Sequence, residues 1–307
     1  MMALLLDLLR GRLAGLGLDP RQLLDRDAPG GLAPPGLLSA NGHCRLLRAA
    51  DGWCALNLAR PDDVDVLPAL TGLNDDPWVM LADWARTMPT ADIRSSAIEF
   101  QLPVAIAGES KARPLAPPQG GAVPGKVVDL SALWAGPLCA GLLARAGSRV
   151  VRIESISRPD PTPQGSPRLD ALLNGEKERL PLDLRSAVGR AALLAELADA
   201  DVLVTSARSA ALARLGLVPE AMPHLTWVAI TAHGFDGLEA RRVGFGDDCA
   251  IAGGLMRWQD GTPQFLGDAL ADPLTGLEGA LAVLAGQRGL IDLAMARVAA
   301  AYAECLA

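Results

Sequence analysis

The stretch Phe265–Gly276, FLGDALADPLTG, sets two aspartates four residues apart in front of an alanine-leucine run. A carboxylate with an ordinary pKa of about 3.9 is ionised at neutral pH and can act as a nucleophile, so either residue could do chemistry. The local signals describe something plainer. Asp272-Pro273 ahead of LTGLEGALAVLAG has the form of a helix start, with Asp as N-cap and Pro at the first helical position. Asp268 reads as a solvated loop carboxylate. Spacing alone does not separate a capping aspartate from a reacting one.

Other residue types narrow the chemistry. Cys44, Cys54, Cys139, Cys249 and Cys305 are scattered without a CxxC, and His43, His224 and His233 are dispersed, so no metal cluster is expected. Unpaired, reduced thiols fit a cytoplasmic protein. The turn DLSALWAGPLCAG lacks the GxGxxG that brings backbone close to a pyrophosphate, which argues against NAD or FAD and leaves no tightly bound cofactor to expect. Gly136-Pro137 still opens a helix whose N-terminus can hold an anion. A net charge of −7 argues against nonspecific nucleic-acid binding without excluding a local basic pocket.

These residues need a scaffold. The chain of 307 residues is 50% hydrophobic and only 4% aromatic, so its core must be mostly Leu, Ala and Val. In MMALLLDLLRGRL, Leu4, Leu5, Leu8, Leu9 and Leu13 keep helical spacing, giving an amphipathic first helix rather than a signal peptide. No run reaches the roughly 18 apolar residues of a membrane span. CRLLRAADGWCALNLA reads as two strands around Asp51-Gly52, followed by helical segments and a strand in QLPVAIAG. Trp53, Trp78 and Trp84 are expected in that unit's core. Residues 1–111 thus form a small α+β domain with an N-terminal helix, and the proline- and glycine-rich stretch 112–125 a linker. From 126 to 307 strands alternate with helices: strands at 126–131, 149–155, 179–184, 201–206 and 226–234, helices at 136–148 and 187–200. That alternation predicts an α/β fold with a Rossmann-like open parallel sheet beside the smaller α+β domain.

The order of blocks after Lys126 resembles the family III CoA-transferases (CaiB/BaiF), which include formyl-CoA transferase, carnitine CoA-transferase and α-methylacyl-CoA racemase. The matching residues are Asp129-Leu130-Ser131, Ala135-Gly136-Pro137, Ala146-Gly147-Ser148 and Glu154, then Asn174, Lys177 and Leu182-Asp183-Leu184. ADVLVTSARSAALARLGL, LTWVAITAHGFDG, GFGDDCAIAGGLM, LADPLTGLEGALAVLAG and GQRGLIDLAM follow in the family's order, to about Met295. The resemblance implies an acyl-CoA:carboxylate CoA-transferase with Asp272 as the catalytic carboxylate and Asp268 outside the motif. It implies CoA contacts at Leu133, Glu154, Arg158, Leu182, Ser206 and Arg208, with acyl-CoA and a carboxylic acid acceptor as partners, no nucleic acid, no membrane and a homodimer. Coenzyme A enters as substrate. An α-methylacyl-CoA racemase or epimerase is the alternative, with His233 or Asp247 as auxiliary base, as is a degenerate acyl-CoA-binding member. Phe245 stands where the racemases carry a histidine and cannot hold a proton. Trp134 stands where the formyl-CoA transferases have glutamine, which implies a bulkier or more apolar acyl group. The small domain precedes the large one, so relative to the family the chain reads as permuted and shortened. The family's glycine-rich loop is reduced to Ser39–His43 or lost.

Overall fold

The computed structural model describes every residue of the chain except Pro29, Leu73, Asn74, Pro118 and Gln119. The smaller unit holds an antiparallel sheet of β1 (Cys44–Arg48), β2 (Trp53–Asn57) and β3 (Val104–Ile106) in that order. The Asp51-Gly52 turn joins the first two as expected, and the Asp51 carboxylate accepts the Thr90 N–H at 2.8 Å. Helix Pro77–Thr87 starts at Asp76, whose side chain accepts from Trp78 and Val79, with Pro77 inside the first turn. Leu47, Leu56, Leu81 and Ile93 centre this core. Trp53, Trp78 and Trp84 lie half-buried at core margins instead of at the centre; Arg48 stacks over Trp53 and Arg45 over Trp78.

The larger sheet contains β4 (Lys126–Leu130), β5 (Arg149–Ser155), β6 (Glu178–Leu182), β7 (Val202–Thr205), β8 (Thr226–Thr231) and, beyond the hairpin β9 (Met256–Gln259) and β10 (Thr262–Phe265), β11 (Leu290–Ala294). All pairings in it are parallel, in the order β11-β8-β7-β4-β5-β6. The chain reverses direction across the sheet between β4 and β7, the switch point where open α/β sheets bind ligands at their carboxyl ends. Alternate strand residues explain the two covered faces. Val127, Val150, Val204 and Val228 face one apolar core; Val128, Val151, Leu203 and Trp227 face the other.

Helices Ala135–Arg145 and Ala271–Leu284 lie together in the first of these cores. Gly276 permits their close approach: a Cβ there would sit 2.5 Å from the Ala135 carbonyl oxygen.

The expected boundary at the N-terminus needs correction. Leu5 and Leu9 of helix Met2–Arg12, with Leu13 at its C-cap, pack into the parallel sheet's core rather than into the small unit. The cause is partly electrostatic. Glu278, 1% exposed, accepts Arg12 at 2.6 and 2.7 Å, Tyr302 at 2.8 Å and the Ala116 N–H at 2.8 Å. A carboxylate buried that deeply requires its cation, and the cation brings the first helix with it. The stretch 112–125 is likewise fastened to the larger unit, with the Gly121 N–H on the Leu284 carbonyl at 2.8 Å; Pro118 and Gln119 of that stretch lie outside the described residues.

Candidate active site

Helix Ala271–Leu284 begins two residues earlier than its sequence signal indicates: Leu270 is the N-cap, and its side chain makes no cap bond. Asp272 is therefore in the first turn and is not the cap, which frees its carboxylate from the backbone donors a cap would engage. The turn before it is tight. Ala269 has φ +44°, and its carbonyl accepts the Asp272 N–H at 2.9 Å.

Opposite Asp272 stands the start of helix Gly246–Ala252. A Cβ at Gly246 would fall 2.2 Å from Asp272 Oδ2 and 2.4 Å from the Ala269 carbonyl oxygen, so only glycine fits. The next two residues are acids. Asp247 and Asp248 are both buried in that first turn. Asp247 accepts the Ala269 N–H at 2.8 Å and the Asn41 amide at 2.6 Å. Asp248 accepts the Phe245 N–H at 2.9 Å and Asn57 at 3.1 Å.

Asp268 is not the solvated loop carboxylate that its position indicates. It is buried and takes Arg26 as a two-point partner at 2.5 and 2.9 Å, with Asn41 at 2.9 Å. The Arg26 guanidinium also lies over the Trp134 ring, 5.4 Å from its centre.

Asp268, Asp272 and Asp247 thus gather around one guanidinium, with Asp248 behind Asp247. Burial, with Asp268 close by, pushes Asp247 up to about 6. Burial also pushes Asp248 up to about 7, against the opposing pull of its two donors. Asp272 keeps part of its surface open but is otherwise enclosed by protein. That enclosure raises it to about 7; Arg26 and the Gly246 N–H oppose the rise, while Asp247 and Asp268 add to it. Near neutrality Asp272 exchanges between acid and carboxylate, with few donors to quench it.

The two candidate auxiliary bases are placed differently. Asp247 adjoins Asp272, but both its oxygens are engaged. His233, 3% exposed, has no partner on either ring nitrogen, and burial followed by Arg242, Arg94 and Arg297 lowers it well below 6.5. Its ring nitrogens belong with Asp248 and Cys249, the donor atoms lying within 4.8 Å of one another. The fold therefore assembles donors that the sequence leaves dispersed. The set is one short of the four protein ligands of a closed zinc site, and Asp248 already accepts two hydrogen bonds through one oxygen. Phe245, at the racemases' histidine position, is half-buried at the start of the Asp247 helix.

The expected CoA residues lie along the carboxyl edge of the parallel sheet. Leu133 follows β4 in a left-handed conformation at φ +68° and is exposed. Ser206 follows β7 and accepts the Ala132 N–H at 2.9 Å, closing the switch point. Leu182 ends β6, pairing with Ser155, and Arg158 is exposed after β5. Glu154 is committed to Arg179 at 2.8 Å, and Arg208 to the Gln101 side chain of the smaller unit. One residue beyond Leu133, buried Trp134 reaches Arg26, so the edge and the acid cluster adjoin.

The family model for CoA-transferase family III matches residues 125–302, more than half of the chain. The chain belongs to CoA-transferase family III. Among relatives in the family, an "Acyl-CoA transferase" of Fusarium pseudograminearum (strain CS3096) is 29% identical over 174 residues, covering 50% of this chain and 38% of that protein. The "Formyl-CoA:oxalate CoA-transferase" of Rhodopseudomonas palustris (strain HaA2) is 28% identical over 180 residues, 52% of this chain and 40% of the relative. The human "Succinyl-CoA:glutarate CoA-transferase" is 26% identical over 175 residues, again 52% and 40%. A crystal structure of a CaiB/BaiF family protein from Brucella suis aligns with a TM-score of 0.53 at 28% identity, over 61% of this chain and 55% of that one. The matched segment thus spans two fifths to about half of these family III proteins.

Sequence reading missed Arg26, Asn41, Gly246 and Asp248, and dismissed Asp268. A double aspartate after Gly-Phe-Gly is a usable signal for Gly246 and Asp248. Arg26 has none, because its partner is 242 residues away.

Proposed function

We propose that the chain is an acyl-CoA:carboxylate CoA-transferase in which Asp272 carries first the acyl group and then CoA. The observation that carries this reading is the state of Asp272: a partly open carboxyl at a family III motif position, raised to about 7 and, among the described residues, facing only the Gly246 N–H as a backbone donor. An oxygen of the Asp272 carboxylate attacks the thioester carbonyl; the C–S bond breaks, giving a mixed anhydride and CoA thiolate. The thiolate attacks the aspartyl carbonyl, releasing the first acid as its carboxylate and leaving an aspartyl-CoA thioester. The acceptor's carboxylate displaces the thiolate to form a second anhydride. Attack of the thiolate on the new acyl carbonyl gives the product thioester and restores Asp272. Backbone N–H groups in the first turn of its helix are suited to the developing oxyanion.

Leu133, Glu154, Arg158, Leu182, Ser206 and Arg208 are proposed to hold coenzyme A along the sheet edge, with no tightly bound cofactor. The names of the relatives support transfer between carboxylic acids. We extend the proposal to a cytoplasmic homodimer, whose mass light scattering would test. The racemase alternative lacks a free second base at Asp272, since Phe245 cannot hold a proton and Asp247 is doubly engaged.

The test incubates the purified chain and its Asp272→Asn variant with a panel of acyl-CoA thioesters in deuterated water. An acyl or CoA adduct by intact mass, absent from the variant, supports transfer. Deuterium at the α-carbon without an adduct would point to racemisation, and binding with neither would leave an acyl-CoA-binding protein.

A further inference from the structure

We infer that Arg26 is a positioning residue for Asp272: it holds Asp268 in a two-point pair against Trp134 and so leaves Asp272 as the unpaired carboxylate of the cluster. The inference deepens the transferase reading and takes its functional meaning from it, but its geometry is independent of that reading.

The donors around the cluster are few and their allocation is specific. Arg26 and Asn41 serve Asp268, Asn41 and Ala269 serve Asp247, and Phe245 and Asn57 serve Asp248. Among the described residues only the Gly246 N–H is left for Asp272. The neighbours of Arg26 in the chain are fastened to another element. Asp25 pairs with Arg168 at 2.7 Å. The Asp27 carboxylate accepts the N–H groups of Arg168 and Leu169 at 3.1 Å each, and its carbonyl accepts the Ser166 hydroxyl. The sequence Asp25-Arg26-Asp27 is thus a strap whose flanking acids fasten to the start of helix Pro167–Asn174 while the arginine between them reaches the acid cluster. Trp134 supplies the surface beneath the guanidinium.

The charges acting on Asp272 come from several elements. Arg26 enters from the strap, Asp268 from the preceding loop, and Asp247 with Asp248 and Cys249 behind it from helix Gly246–Ala252. Helix Ala135–Arg145 contributes Cys139, set against Gly279 two turns further on; Arg145 pairs away with Glu176 at 3.8 Å. Helix Met295–Cys305 contributes Tyr302, on Glu278, together with Arg297, Glu304 and Cys305; Arg297 pairs with Asp292 of β11 at 3.6 Å. Strand β8 carries no titratable side chain.

The test reads Asp272 directly, by 13C NMR titration of protein labelled at the aspartate carboxyl carbons, with Asp272→Asn assigning the resonance. Arg26→Gln is expected to raise the Asp272 midpoint by about one unit, Asp268→Asn to lower it by a similar amount, and the double variant to return it near the wild-type value. The pH profile of adduct formation should move in step. A midpoint unmoved in both single variants overturns the inference, as does a double variant shifted as far as Arg26→Gln alone. Should Arg26→Gln fail to fold, Asp268→Asn carries the test through its downward shift. If the titrations behave as expected but no adduct forms with any acyl-CoA, the transferase reading fails and the positioning role stands.

Discussion

Asp129 and Asp272 are both enclosed aspartates in the larger unit, and they are opposites. Asp129 is the penultimate residue of β4 beneath the switch point, fully buried, and accepts Lys177 at 2.7 Å, Arg152 at 3.3 Å and the Ser131 N–H at 3.1 Å, as well as the Ser131 hydroxyl. Lys177 is equally complete, donating to Asp129, Asn174 and the Pro137 carbonyl. Burial alone would raise Asp129, but Lys177 and Arg152 outweigh it and hold the carboxyl below its ordinary value. Arg152 continues to Asp160 at 2.7 Å, and Asp160 accepts the Leu133 N–H at 3.0 Å. That chain of charges fixes the loop leading to Trp134. Around Asp272 the balance is inverted: one guanidinium opposes the charges of Asp247 and Asp268, and burial prevails. The partners delivered by the fold, not the residue type, separate an aspartate held below its ordinary pKa from one raised above it.

The comparison can be broken from either side. The largest effect is expected from Asp272→Asn, which should reduce adduct formation at least about a thousandfold, read by intact mass, while the protein stays folded. Lys177→Met attacks the other side. It leaves Asp129 facing only Arg152 and should cost roughly 3–5 kcal/mol by denaturant unfolding.

Stability against pH sharpens the contrast. Asp247, Asp248 and Asp272 are raised, so the folded state binds their protons more tightly than the unfolded chain does. Their contribution is full below the unfolded value of 3.8 and is lost as pH rises through about 6 to 7. Asp129 is lowered, so its contribution holds above 3.8 and disappears as pH falls through its folded value. Asp272→Asn should accordingly be more stable than wild type at pH about 8 and gain little at pH about 5, by roughly 1–3 kcal/mol at the higher value. Thermal melts at both pH values check the sign. Gly246→Ala, which drives a methyl into Asp272 and the Ala269 carbonyl, should cost about 1–3 kcal/mol and slow adduct formation. His233→Leu should have the smallest effect, about 0–1 kcal/mol of stabilisation with adduct formation retained, because it removes two buried nitrogens that have no partner.

Much of the fold was legible because strands covered on both faces are short apolar runs and the helices between them are regular. The β5 limits Arg149–Ser155 agree with the sequence expectation, and the other expected strands shift by one to three residues at their ends. Less was legible where partners are distant. The first helix belongs to the larger core because of Arg12 and Glu278, 266 residues apart, which no local pattern encodes. His233, Asp248 and Cys249 converge only once β8 and helix Gly246–Ala252 are packed.

The sequence by itself determined the parallel α/β architecture, the family, and Asp272 as the residue at the motif position. Those properties reside in periodicity and in the order of short blocks. The tertiary structure decided that Asp268 is paired and Asp272 is not, that the helix cap is Leu270, and that a single arginine from the N-terminal strap governs the cluster. The physical reason is that protonation depends on burial and on donors within a few ångströms, and the folded chain collects those from segments far apart in sequence.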